Sequence, residues 1–300
     1  MIASCSEPAA SAVQLTGRDY LSFTSLSTYR RCPLAWRFRY VDHLPEDRIR
    51  SSLAFGGAIH AAIEHWFRGT LAGELEPGVD ELLEAFWAAW HDRQEEAQID
   101  YAQVENASTI HSLASRVLEA FVTSGIARPA GTVIGVEEEL RGPVIPGVPD
   151  LLARIDLLVE TDERLIVVDF KTAKCSWGPT SAEEQAEQLL LYAALVERLV
   201  PEKPLQLQYV VLTKAKSPAV QVVTVPADAQ RIDRTLRVVR NVWQAMRAGH
   251  VYPVPSPACR WCPFAGRAAG IDGRAFFACS SWFPPLCVGS RVNGPLHIFS

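Results

Sequence analysis

Two aspartates and a lysine, Asp156, Asp169 and Lys171, stand in a stretch otherwise rich in Ile, Leu and Val. The run from Leu151 to Glu160 and the run from Leu165 to Lys171 read as two strands, joined by the polar turn Thr161-Asp162-Glu163-Arg164. If Asp162 and Glu163 are the central turn residues, Glu160 faces Leu165 and, counting back, Asp156 faces Asp169. Cross-strand carboxylates would sit about 5 Å apart and repel. A hard divalent cation that prefers oxygen ligands is the simplest remedy. Lys171, two residues beyond Asp169, shares its face by strand alternation. Such a group can hold Mg²⁺ or Mn²⁺, position water against a phosphodiester and stabilise the charge that builds in the transition state. A turn offset by one residue would instead send both acids to solvent, with Lys171 paired to one of them.

The elements that must carry this group are legible in the pattern. Strands are expected over 133–141, 152–160, 164–171, 205–213 and 219–225, with helices over 181–200 and 228–248. Before them the chain reads as helical. Residues 24–41 open with a Ser or Thr cap and restart at Pro33, and 54–72 form an amphipathic helix with Ile59, Ile63, Trp66 and Phe67 on its buried stripe. Two further helices fit 79–97 and 106–124. The order implies an α/β or α+β core, a mixed central sheet flanked by helices, behind an N-terminal helical region. Residues 1–20 are small and polar without a clear period and are expected to be a disordered lead-in, and 266–300 an irregular tail.

Composition sets few further bounds. A net charge of −5 does not advertise a nucleic-acid partner, so such contact must be local. Residues 30–39 carry four arginines and no acid, interleaved with Trp36 and Phe38, whereas residues 74–105 carry ten acids and one arginine. The basic segment could track phosphates with Arg30 and Arg31, or be a solvated helix with its aromatics in the core. No apolar run reaches the roughly 20 residues of a membrane span and no signal peptide opens the chain, so a cytoplasmic protein with no membrane partner is expected. Seven cysteines without export signals argue for metal ligands or ordinary thiols over disulfides.

The hairpin, as Asp156-(x12)-Asp169-Phe170-Lys171, resembles the PD-(D/E)XK nuclease core, and more narrowly the RecB-family nuclease domain. Tyr29-Arg30-Arg31-Cys32-Pro33, preceded by Ser25, resembles that family's N-terminal element. Gly56-Gly57-Ala58-Ile59-His60 resembles its Gly-x-x-x-His helix, Gln188-Leu189-Leu190-Leu191-Tyr192 its Gln-x-x-x-Tyr signature, and Cys259-Arg260-Trp261-Cys262-Pro263 its Cys-x-x-Cys-Pro. The resemblance implies a restriction-endonuclease-like fold over 21–265, divided into a helical part (21–130), a catalytic core (131–250) and a cysteine segment (251–265). It makes His60, Asp156, Asp169 and the Phe170 carbonyl ligands of Mg²⁺ or Mn²⁺, and Lys171 the catalytic lysine. Glu137, within the run Glu137-Glu138-Glu139, is a further candidate near the metal. Gln188 and Tyr192, four apart on one helix face, would meet substrate together with Arg30 and Arg31.

Cys32, Cys259 and Cys262 match three ligands of a [4Fe–4S] cluster, with Cys279 or Cys287 as candidates for the fourth because Ala268 stands where that ligand is expected. Zinc, or no metal, are the alternatives for these cysteines. The implied activity is a metal-dependent DNA exonuclease acting on single-stranded ends in repair, recombination or CRISPR spacer acquisition, beside a helicase or CRISPR adaptation proteins. The rival readings are a structure-specific endonuclease and a DNA-end-binding subunit with a lapsed active site.

Overall fold

A mixed six-stranded sheet carries the hairpin. The computed structural model describes residues 11–199, 203–264, 270–271 and 274–275. In chain order the elements are α1 (Ala12–Thr16), β1 (Tyr20–Ser22), α2 (Phe23–Arg31), α3 (Pro33–Tyr40), β2 (Arg48–Arg50), α4 (Ser51–Ala72), α5 (Val79–Glu96), β3 (Gln98–Asp100), α6 (Ala107–Val122), β4 (Thr132–Gly142), β5 (Asp150–Glu160), β6 (Leu165–Ala173), α7 (Pro179–Gln185), α8 (Glu187–Leu199), β7 (Leu205–Thr213), β8 (Val220–Val225) and α9 (Ala229–Arg247). β5 pairs antiparallel with β4 and β6 and parallel with β1, β6 and β7 pair in parallel, and β8 closes the edge antiparallel to β7. This is the α/β class, with a mixed central sheet flanked by helices, that the hydrophobic pattern implied.

Each sheet face has its own core. On one face, Leu165 and Val167 of β6 pack with Tyr29, Trp36, Leu189 and Trp243 from α2, α3, α8 and α9. On the other, Val168 and Phe170 pack with Ile59, Phe67, Phe86 and Phe121 from α4, α5 and α6. The alternation of β6 side chains therefore supplies both layers, as period-2 geometry requires. Pro33 occupies the first turn of α3, where its missing N–H costs nothing, so α2 and α3 are separate helices about Cys32.

Three sequence expectations needed revision. Of the expected lead-in, residues 1–10 lie outside the described residues, while in 11–20 Ser11 and Gln14 close a capping box on α1, Gly17 ends it in the left-handed region at φ +69°, and Tyr20 begins β1. Five residues are too few for a hydrophobic period to show. The helix expected over 181–200 is two, because at Ala186 the N–H bonds the carbonyl of Glu183 and tightens the turn. Strands β2 and β3, three residues each, form a small parallel ladder by the start of α4 that the sequence reading did not anticipate. In the tail, Gly270–Ile271 and Arg274–Ala275 pair antiparallel.

Candidate active site

The site begins with a gap in the sheet. β4 covers one edge of β5 from Leu151 to Glu160, while β1 pairs with the opposite edge at Asp150–Leu152 and β6 pairs with that same edge only at Leu157–Glu160. Between them β5 has no strand neighbour on that edge, and Asp156 lies at the end of the opening. The expected hairpin register is correct, running from Glu160 opposite Leu165 to Leu157 opposite Val168. Pairing then stops, one position before Asp156 and Asp169 would have met. The Phe170 N–H instead donates to Asp156 Oδ2 at 2.7 Å, so a side chain replaces the next ladder bond.

Both strands turn over at this point. Leu151, Ala153 and Ile155 pack in the first core but Leu157 and Val159 pack in the second, although strict alternation would keep all five on one face. Opposite Asp156, between the paired positions Val136–Leu157 and Glu138–Ile155, Glu137 has φ +53°. A left-handed non-glycine residue inside a strand costs on the order of 1–2 kcal/mol and re-aims the side chain. His60, Glu137 and Asp156 consequently bring ligand atoms within 4.8 Å of one another, the only such set of three among the described residues. His60 Nδ1 is 3.4 Å from Asp156 Oδ2.

The electrostatics suit a cation. Burial and then the neighbouring Asp169 push the Asp156 carboxyl well above the ordinary value. Burial, then Asp156 and Glu64, raise Glu137 to about 7. Burial pushes His60 down, which favours the neutral imidazole that a metal needs. A site that disfavours its own carboxylate charges is relieved by a divalent ion. The donor set of one imidazole and two carboxylates, His60, Glu137 and Asp156, fits Mg²⁺ or Mn²⁺. Glu138 and Glu139 are exposed, which separates Glu137 from its run.

Asp169 falls outside the set of three but lies near enough to act on both Asp156 and His60. It is 1% exposed, and its Oδ2 forms an ion pair with Lys171 Nζ but no hydrogen bond within the chain. Lys171 Nζ also donates to Gln188 Oε1 at 3.0 Å, and Gln188 Nε2 donates to the Tyr192 hydroxyl at 2.8 Å. Gln188 and Tyr192 thus form a relay behind Lys171, and Tyr192 is buried among the α8 side chains. Arg30, on α2, pairs with Glu187 next to Gln188, while Arg31 lines a separate cavity with Cys32. Trp36 and Phe38 of the basic segment are core residues, and Arg37 and Arg39 pair with Asp42 and Glu46.

Cys32, Cys259 and Cys262 line that same cavity, all partly buried. Burial raises the Cys262 thiol, and Cys32 and Cys259 are near enough to raise it further. Their sulfurs are not within the 4.8 Å grouping, whereas thiolates on one tetrahedral zinc lie about 3.8 Å apart. Cys279, Cys287 and Cys5 lie outside the described residues, and Cys175 is exposed.

No curated protein matches the chain. A solved Eubacterium rectale protein, named provisionally as an exonuclease, is 12% identical, with 84% of this chain and 90% of that chain covered at a TM-score of 0.56. A second, SSO0001, is 15% identical over 80% of this chain and 92% of its own, at a TM-score of 0.32. The first likeness supports the fold. The family profile described as the PD-(D/E)XK nuclease superfamily matches residues 20–267, which spans every element from β1 to the Cys259–Cys262 segment. With that match and the mixed sheet in place, the chain belongs to the PD-(D/E)XK nuclease superfamily.

Proposed function

We propose that the chain is a divalent-metal-dependent DNA nuclease that digests from single-stranded ends, with the gap in β5 as its active site. The observation that carries this reading is the convergence of His60, Glu137 and Asp156 beside Lys171. Those three side chains, with the Phe170 backbone beside them, would hold Mg²⁺ or Mn²⁺; a bound ion would supply positive charge against the scissile phosphate and acidity to a coordinated water. Asp169, near both Asp156 and His60, would join them on the ion, and its pairing with Lys171 keeps that ammonium extended toward the site. Lys171 offers N–H donors to the phosphate as its negative charge grows, and Gln188 and Tyr192 fix the ammonium so that little reorganisation is needed.

The preference for an end draws on the RecB-like order of the flanking motifs and on the name of the Eubacterium rectale relative. The RecB-like order of the cysteine motifs supports a [4Fe–4S] cluster on Cys32, Cys259 and Cys262, which line one cavity. The test is incubation of the full chain with Mn²⁺ or Mg²⁺ and either linear or circular single-stranded DNA. Linear strands should be degraded, circles should survive, and chelation should stop the reaction. Cut circles would replace the exonuclease with an endonuclease. Binding without cleavage at any metal concentration would remove the enzyme reading.

A further inference from the structure

A cavity of about 420 Å³ opens between α3, β2, the start of α4 and the Cys259–Cys262 segment. Its charged lining comprises five cations, Arg31, Arg39, Arg48, Arg50 and Lys214, against one acid, Glu46. Arg39 is taken up by Glu46 and Arg48 by Asp100. Arg31, Arg50 and Lys214 have no ion-pair partner among the described residues. Three uncompensated cations around one concavity repel each other and attract an anion. Burial pushes the Lys214 ammonium below the ordinary lysine value, with Glu105 raising it and Lys174 lowering it, and the ammonium lies 5.6 Å from the Phe55 ring centroid.

The same cavity presents an aromatic plane. Trp261 is 47% exposed, large for an indole, with the Arg50 guanidinium 5.2 Å from its ring centroid. An exposed Trp–Arg pair offers flat surfaces on which any base can stack, and the cations beside it can take the adjoining phosphates. Leu53 and Ser52, in the first turn of α4, form part of the wall, so the positive end of a long helix faces the same space.

The cavity adjoins the candidate active site. Leu53, Gly56, Gly57 and His60 share one side of α4, and Leu53 to His60 is two turns, about 10 Å. At Gly57 a Cβ would meet nothing within 4 Å, so the way along the helix is open there. Gly56 lies against Thr172 Oγ1, 3.3 Å from where its Cβ would be, and Thr172 is both a cavity wall and the residue after Lys171.

From this juxtaposition we propose that the wall of the cavity formed by Trp261, Lys214, Arg50 and Arg31, beside the three cysteines, is a nucleotide subsite for the single-stranded DNA substrate, with a base on Trp261 and a phosphate among the three cations. This rests on the nuclease reading above, and it assigns the path of the strand beyond the metal ligands.

The experiment measures binding of fluorescein-labelled dT12 to the full chain in Ca²⁺, across a salt series, alongside cleavage in Mn²⁺ and the iron and zinc content of every variant. Trp261→Ala should weaken binding about 5- to 100-fold, with Trp261→Phe recovering most of the loss. Lys214→Ala and Arg50→Ala should each lower the slope of log affinity against log salt by about 0.7. Arg237→Ala, on the far side of α9 and paired with Asp233, should change neither. Wild type that binds and cleaves while the Trp261 and Lys214 variants bind equally well overturns the subsite and leaves the nuclease reading standing. Wild type that neither binds nor cleaves overturns both. Binding lost only in step with iron or zinc would overturn the subsite too, assigning the cavity to the cysteine-held group.

Discussion

Glu137 stands directly across the β4–β5 pair from Asp156, and its left-handed backbone at φ +53° turns its carboxylate toward the same point as that of Asp156. Holding two carboxylates together with burial has a thermodynamic signature. Glu137 is raised to about 7 from an ordinary 4.5, so between those values the folded chain binds more protons than the unfolded one. Stability of the metal-free protein therefore falls as pH rises through this window.

The first prediction follows from that sign. By pH 8 the ionised Glu137 costs on the order of 1–3 kcal/mol, reduced by its contact with Arg154 Nε at 3.3 Å. Glu137→Gln should raise the melting temperature of the chelator-treated protein at pH 8 and leave it nearly unchanged at pH 5, while weakening Mn²⁺ binding. A variant no more stable than wild type at pH 8 would mean that Glu137 is not under this charge stress.

Lys171 and its relay give the second prediction. Lys171→Met removes the ammonium but keeps the stem, so cleavage should fall about 10²–10³-fold with strand binding in Ca²⁺ little changed. Gln188→Ala leaves the charge and removes its tether. Rate should drop about 10–100-fold, with metal affinity intact, and Gln188→Glu should fail to rescue it because its carboxylate would draw the ammonium off the phosphate. Equal rates for wild type and Gln188→Ala would reduce the relay to packing.

Much of this arrangement could be read from the chain, and the unread part has physical causes. The hairpin register was correct because a polar four-residue turn between β-branched runs fixes it. What register could not show is that β6 leaves β5 after Val168, and that β1, more than 120 residues earlier in the chain, takes up the same edge only at Asp150–Leu152. Asp169 was expected in a ladder pair with Asp156 and instead lies one position past the last pair, still near enough to raise the Asp156 carboxyl while pairing with Lys171. Glu137 was indistinct within three glutamates because only a backbone φ, invisible in composition, aims it inward. The Gln188–Tyr192 spacing revealed a shared helix face but not that this face meets Lys171 instead of solvent.

The third prediction separates folding from metal binding at Asp156. Its Oδ2 accepts the Phe170 N–H, a bond that an amide oxygen can keep, while its charge is disfavoured by burial and by Asp169. Asp156→Asn should thus be at least as stable as wild type in chelator. Added Mn²⁺ at about 100 times the dissociation constant should stabilise wild type by roughly 2.7 kcal/mol and the variant hardly at all. Paired thermal melts with and without Mn²⁺ measure this directly. An equal metal-induced shift in both would move the ion away from Asp156.

The N-terminal helices and the segment after α9 are tied together without any metal, which sets the terms for the last prediction. The Tyr29 hydroxyl donates to the His250 carbonyl at 2.6 Å, Leu34 N–H donates to the Tyr252 carbonyl at 3.2 Å, and Phe38 meets Phe264 edge to face at 5.5 Å. Tyr29→Phe leaves that carbonyl without its donor and should cost about 1 kcal/mol. A cysteine-held cluster would act on the same seam, closing a loop of more than 200 residues between Cys32 and Cys259. Cys262→Ser should then abolish brown absorbance in anaerobically purified protein and cost clearly more than Tyr29→Phe. The two losses should also fail to add, because both loosen one seam and the second substitution finds it already open. Colourless wild type, with Cys262→Ser no less stable, would leave the hydrogen bonds and the Phe38–Phe264 contact as the whole of the clamp.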